Sequence, residues 1–359
     1  MRKNLFFIFI NLLVALSVGG QSVTRLLATS PFDNTLVVFD TATYATITTK
    51  TMPFSLGTYQ GINGLARKPS TGVFYAVVNN GSGTRYLATL NPVNGSLTSI
   101  GSLGDNFSQL TFNGNGTLLG VTGAGASNPC KVYRINVNNA SKSLAGTGTV
   151  VTSYGQIICY NPVDNRVYHW SGGSPTFNSY DTSFTSAPVN LTITAGNEVV
   201  GAVYKTGGIF VTHDFNGNIL KTRSTGSSTV SLNYTSHYFK GLAYITCSRS
   251  ITPSLPVACS NTTVSAITLT MSGTAGATYQ WYKNNVAISG ATLNTITTPT
   301  TAFGYYKCMI NDGCGQDSLA PGVTFTTAPP PVVSITGGTF ACPPTATVQL
   351  VGSSGGTSQ

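Results

Sequence analysis

The sequence predicts an all-β protein in which a ring of repeated antiparallel sheets precedes a β-sandwich. Three observations carry that expectation. Helix periodicity is missing after the first twenty residues, short β-branched and aromatic runs alternate with Gly, Asn and Pro turns, and a small apolar motif recurs along residues 64–243.

Met1, Arg2 and Lys3 precede an apolar run over residues 5–18 that ends in the small residues Ser17, Gly19 and Gly20. Charge, apolar core and small-residue exit together make residues 1–20 a secretory signal. The run falls below the ~20 residues that cross a bilayer, and no other segment approaches that length, so no transmembrane segment is expected. The expected location is secreted or cell-surface. Only 8% of residues are charged, while Gly, Ser, Thr and Asn fill the segments between apolar runs. The formal charge of +9, about +7 once Arg2 and Lys3 are set aside, is spread thinly along the chain. Lys and Arg form no cluster or stripe, which excludes nucleic acid as a partner.

The recurring motif is Gly64-Leu65-Ala66, Gln109-Leu110-Thr111, Ile157-Ile158-Cys159, Gly201-Ala202-Val203 and Gly241-Leu242-Ala243, with middle residues spaced 45, 48, 44 and 40 apart. Periods of 40–50 residues in an all-β chain are those of propeller blades. Each copy continues through a Gly, Asn or Pro turn into a second strand, as at Val73-Phe74-Tyr75, Leu118-Leu119, Val167-Tyr168 and Ile209-Phe210-Val211. The fifth copy stops after one strand, at Ile245-Thr246. Its missing strands are found at the other end of the region, in residues 25–28, 35–40 and 45–50. A C-terminal strand completing an N-terminal sheet removes the exposed edges of a linear array. The expectation is a closed five-bladed β-propeller over residues 22–246.

Ile62-Asn63-Gly64-Leu65-Ala66, Val73-Phe74-Tyr75-Ala76-Val77 and Leu90-Asn91-Pro92-Val93-Asn94-Gly95 resemble a propeller-like domain of unknown function found in exported bacterial proteins. The resemblance spans residues 22–246 and implies a fold and a compartment, with no activity attached.

Residues 247–252 read as a linker. Beyond them, Tyr279-Gln280-Trp281-Tyr282 places a Trp in a central strand, and Tyr306 stands two residues before Cys308, both marks of an immunoglobulin-type sandwich. Residues 253–327 resemble the bacterial Ig-like domains that occur in arrays on secreted and adhesion proteins. One departure is Leu269, which stands where antibody domains put the first disulfide Cys. After a Pro-rich spacer at 328–331, Ala341-Cys342 and the strand to Leu350 repeat Ala258-Cys259 and the strand to Leu269. Residues 332–359 therefore read as the start of a second, truncated Ig-like domain, with further Ig-like domains expected beyond residue 359.

Seven cysteines in an exported chain are read first as disulfides. The preferred pairs are Cys259 with Cys314, Cys247 with Cys308, and Cys130 with Cys159, with buried thiols as the alternative for the last. Cys342 would pair beyond residue 359.

Chemistry is sparse. The chain has nine acidic residues, of which Glu198 is the only Glu, and three histidines, His169, His213 and His237. Asp40 and Asp181 end equivalent strands, with Asn91 and Asn136 at the matching sites, and either face the ring axis or begin turns. His213-Asp214 lacks a metal-ligand partner at suitable spacing, and residues 214–218 lack the order of a calcium loop. No cofactor, metal site or catalytic residue is expected. Trp170 with His169 is the best exposed candidate for a sugar platform, with a core aromatic as the alternative.

The resulting expectation is a non-enzymatic adhesion or extracellular ligand-binding protein, with a glycan or protein ligand on the propeller and Ig-like domains as spacers. Alternatives are a polysaccharide lyase or glycosidase, and a purely structural stalk.

Overall fold

The computed structural model describes residues 20–53, 59–81, 83–148, 155–172, 176–192, 197–233, 238–254, 266–273, 276–299, 302, 304–317, 322–325, 333–335 and 352–354. Residues 1–19 of the expected signal peptide 1–20, the expected spacer 328–331, His237, Cys259, Cys342 and most of the expected second Ig-like domain lie outside these residues. Among the described residues the fold is all-β, and no helix is long and apolar enough to cross a membrane.

The chain opens with β1 (Gly20–Thr29), β2 (Thr35–Asp40) and β3 (Thr46–Thr51). Four antiparallel four-stranded sheets come next in sequence order. They are β4 (Gly61–Arg67), β5 (Phe74–Asn79), β6 (Arg85–Leu90) and β7 (Leu97–Ser102), then β8 (Phe107–Phe112), β9 (Leu118–Thr122), β10 (Lys131–Ile135) and β11 (Lys142–Thr147). The third is β12 (Gln156–Asn161), β13 (Arg166–Ser171), β14 (Thr176–Asp181) and β15 (Val189–Leu191), and the fourth is β16 (Val199–Thr206), β17 (Ile209–Asp214), β18 (Asn218–Arg223) and β19 (Ser228–Asn233). The long strand β20 (Gly241–Pro253) then returns to pair antiparallel with β1, Leu26 opposite Tyr244 and Ala28 opposite Leu242. The first strands β20, β4, β8, β12 and β16 contact one another in a closed, propeller-like cycle.

Burial explains the strand sequences. β4, β8 and β12 are covered on both faces by neighbouring sheets and buried along almost their whole length, apolar and small residues alternating with Asn63, Gln109 and Gln156. The outermost strands β3 and β11 carry Thr, Ser and Lys and are largely exposed, which keeps the ring's outer edges from templating further pairing.

A second unit lies beyond the ring. β21 (Ala266–Met271) pairs with β20 and with β24 (Thr295–Pro299), while β22 (Thr278–Lys283), β23 (Val286–Ala287), β25 (Gly304–Asp312), β26 (Gly315–Asp317) and β27 (Gly322–Phe325) form the facing sheet. Ile251, Ile267, Leu269, Trp281, Tyr306, Cys308 and Ile310 fill the space between. The Tyr306 hydroxyl donates to the Ala302 carbonyl at 2.9 Å and lies 2.9 Å from Thr298 Oγ1, tying the approach to β25 onto the strand itself.

Two sequence expectations are corrected at the junction. Residues 247–252 are no linker, because β20 runs unbroken through them into the second unit. Cys247, Arg249 and Ile251 are buried and alternate with Ser248, Ser250 and Thr252, a strand period hidden by polar letters. The buried Arg249 places Nε and Nη2 on the two carboxylate oxygens of Asp312, at 3.1 and 2.7 Å, and Nη2 also reaches the Gly315 carbonyl. The disulfide joins Cys247 to Cys314, in place of the expected pairs with Cys308 and Cys259. Cys314 sits in the β25–β26 turn, which docks among Leu27, Val38 and Ile245 of the ring, whereas Cys308 faces the other way into the sandwich core opposite Trp281. Lys50 completes the junction by donating to the carbonyls of Pro92, Val93 and Asp312 at 3.0, 3.0 and 3.1 Å. Cys130 and Cys159 are not joined to each other. Cys159 is packed with Trp170 and Phe210, and burial pushes its thiol up to about 12, leaving it unreactive.

Candidate functional site

Trp170 and His169, the expected sugar platform, are both buried, at 0% and 1% exposure. β13 is an inner strand of its sheet with neighbouring sheets on both faces, so adjacent residues on it are both covered. Trp170 stacks on Phe177 at 4.9 Å and meets Phe210 edge-on at 5.2 Å, while His169 Nε2 lies 2.7 Å from Gln156 Oε1 on the opposite face. Both belong to the core. Asp40 and Asp181 organise turns: Asp40 Oδ1 accepts from the Ala42 and Thr43 amides, and Asp181 Oδ2 from the Ser186 amide. Asp214 does the same for Asn218, and burial lowers the neighbouring His213 to about 4 despite the pull of Asp214. Among the described residues the one metal-like cluster, Cys247, Cys314 and Asp312, consists of a disulfide and an ion-paired carboxylate, which offers no thiolate to a metal.

The site that the structure assembles instead lies on the ring axis. Two places before the motif centres stand residues 63, 108, 156, 200 and 240, and three of them, Asn63, Ser108 and Lys240, line one cavity at the mouth of the ring. In β4, β8 and β16 the residue at that place is the extra one of a β-bulge, the register slipping between Ile62 and Gly64, between Phe107 and Gln109 and between Val199 and Gly201. A bulge bends the strand and re-aims one side chain. Here it turns Asn63 and Ser108 into an axial cup of about 260 Å³ that also receives Lys240, Arg85, Asn79, Asn106, Phe32 and Tyr238. Gln156 and Val200, the remaining two equivalents, are buried in the walls.

One layer further in, Gln109 reaches across the axis. Its Oε1 accepts from the Leu65 and Leu110 amides at 3.2 and 3.0 Å and its Nε2 donates to the Lys240 carbonyl at 3.1 Å. Gly64 makes room for this plug, since a Cβ there would stand 2.6 Å from Gln109 Oε1. Beyond the plug the channel reopens as an apolar cavity of about 510 Å³ lined by Leu65, Leu110, Leu242 and Tyr204.

The cup is chemically unfinished. Arg85 Nε and Nη1, Asn63 Oδ1 and Ser108 Oγ are buried with no hydrogen-bond partner. Each buried polar group left unpaired costs about 1–3 kcal/mol, so such a cluster is a reservoir that a ligand relieves. Burial lowers Arg85, and it lowers Lys240 to about 8, opposed by the attraction of Glu198 and assisted by the repulsion of Arg85. Glu198 is held by the Gly155 amide at 2.6 Å. Asp105, farther along the rim, takes three backbone amides, from Asn106, Ser127 and Asn128. Tyr238 stands at the rim with its ring 5.5 Å from Phe32 and 5.7 Å from Phe215, which are 72% and 62% exposed.

Sequence reasoning misses the cup when the repeats are aligned on their apolar centres. Comparison two residues upstream shows Asn63, Ser108, Gln156 and Lys240 as polar residues at an inner-strand position. Arg85, Phe32 and Tyr238 come from other segments and carry no such signal.

No family model matches the chain, and no curated protein matches it. Solved structures similar to it include a chain from a nidogen/laminin complex, at 12% identity and a TM-score of 0.43, covering 62% of this chain and 98% of that one. A protein of unknown function from Bacteroides caccae is similar at 13% identity and a TM-score of 0.41, covering 62% and 99%. A gluconolactonase from Xanthomonas campestris is similar at 11% identity and a TM-score of 0.41, covering 66% and 84%. Likenesses at these values assign neither a ligand nor an activity to this chain.

Proposed function

We propose that the chain is a secreted or cell-surface binding protein, a five-bladed propeller that takes an extracellular ligand in its axial cup and is carried on Ig-like modules acting as spacers. The observation that carries this reading is the set of buried, unbonded polar groups of Arg85, Asn63 and Ser108 gathered around one cavity at the ring mouth. A stalk with no ligand gains nothing from leaving them unpaired. The sandwich reading is supported by the Trp281 core and the Tyr306 corner bond.

The same geometry argues against hydrolysis by a carboxylate pair in the cup. Glycosidases need two carboxylates flanking the bond to be cleaved. Glu198 borders Lys240, and Asp105 is committed to backbone amides, which leaves Glu198 without a second free carboxylate among the described residues of the cup.

The test is a glycan-array and polysaccharide pulldown screen with the full chain, with and without calcium, assayed in parallel for released sugar. The full chain is used because β20 and the Cys247–Cys314 bond belong to ring and sandwich together. Retention without release supports binding. Release of sugar replaces the proposal with the polysaccharide-enzyme reading, and retention unchanged in a chain carrying Asn63→Ala and Ser108→Ala removes the cup as the site.

A further inference from the structure

We infer that the axial cup receives the carboxylate of an acidic saccharide whose ring lies on the aromatic rim, a reading that rests on the ring being a binding module. Two features of the cup select an anion. Arg85 and Lys240 line the same cavity, Arg85 disfavours the charge of Lys240, and two guanidinium nitrogens of Arg85 meet no acceptor. The nearby carboxylate, Glu198, already accepts from the Gly155 amide. Two cations beside one engaged carboxylate leave the cup short of a negative charge, and a planar carboxylate is a natural partner for a guanidinium.

The rim selects a sugar over a bare inorganic anion. Phe32, Tyr238 and Phe215 form a continuous aromatic run beside the cup, and its two outer rings are largely exposed. An exposed apolar patch bordering a polar cavity marks a ligand surface. Sulfate or phosphate would fill the cup and leave those rings in water. A uronic acid presents a carboxylate, an apolar C–H face and hydroxyls in one molecule, matching Arg85 and Lys240, the rings, and the free Asn63 Oδ1 and Ser108 Oγ respectively.

Calorimetric titration of the full chain with oligogalacturonate, with its methyl ester as a neutral counterpart and with inorganic sulfate, tests this. The acid should bind roughly tenfold or more tightly than the ester, and Arg85→Gln and Lys240→Met should each weaken it by a similar factor. Phe32→Ala should weaken the oligosaccharide while leaving any sulfate binding unchanged. The comparison of acid with ester uses the unaltered protein, so it holds even where a variant fails to fold. Equal binding of acid and ester, sulfate binding as tight as the uronate, or folded Arg85→Gln that binds like the parent overturns the assignment. Absence of uronate binding alongside retention of a neutral glycan in the wider screen overturns the acidic-sugar inference alone, and silence towards every glycan overturns both.

Discussion

Lys240 is held near 8 by burial, below the 10.5 of a free lysine. Between those values the unfolded chain binds more protons than the folded one, so this residue makes stability climb as pH rises from about 8 to 10.5. Lys240→Met should flatten that climb, measured as the difference between the two chains' urea unfolding free energies at about pH 7.5 and about pH 10. Anion affinity at the cup should run the opposite way, falling as the ammonium is lost. His213 responds at the acid end. Its folded value of about 4 lies below the usual 6.5, so its contribution is present above about 6.5 and is lost as pH falls towards 4. Both ring nitrogens are buried without partners, and the ring meets Phe239 edge-on at 5.4 Å. His213→Phe keeps that packing and removes the orphaned atoms, so it should stabilise the protein by about 1 kcal/mol at neutral pH and by more at about pH 5. A loss of stability at both pH values would show that the imidazole has a partner in solution.

β20 closes the ring with its first half and opens the sandwich with its last residues, and its middle carries the buried Arg249–Asp312 pair. Removing one partner of such a pair strands a charge in the core, so Asp312→Ala should cost about 3–5 kcal/mol. Replacing both, as in Arg249→Met with Asp312→Leu, should cost far less, with chemical denaturation of the three chains as the measurement. The two halves of β20 also differ in how openly the sequence announces them. Leu242, Ala243 and Ile245 repeat the inner-strand motif, and the apolar residues 26–28 stand ready as their partner, so ring closure is legible. The continuation through Cys247, Ser248 and Arg249 is not, because an inward-facing Arg reads as solvent-facing until a partner 63 residues away is known. Trp170 misleads for a related reason: burial of adjacent residues on both faces of a strand is set by the sheets beside it, which leave no local trace. The cup lies between these cases, half written in the repeat register at Asn63, Ser108 and Lys240 and half supplied by segments that converge only in the folded ring.

Across the whole molecule, ring and sandwich are joined by a shared strand, a disulfide, a buried ion pair and the bond from Lys50 to the Asp312 carbonyl. The disulfide closes a loop spanning 67 residues, which in the chain-entropy picture contributes about 4 kcal/mol. Reduction should lower the unfolding free energy by that order, and Cys314→Ser should reproduce the loss without added reductant. The same bond has a mechanical consequence. A chain pulled from its two ends transmits tension from Cys314 straight across to Cys247, so the intervening segment carries no load while the bond is intact. An oxidised molecule stretched between two surfaces should therefore lengthen by about 230 Å less than a reduced one, a difference that single-molecule force spectroscopy reads directly. Most of the sandwich would then survive shear that tears the ring open.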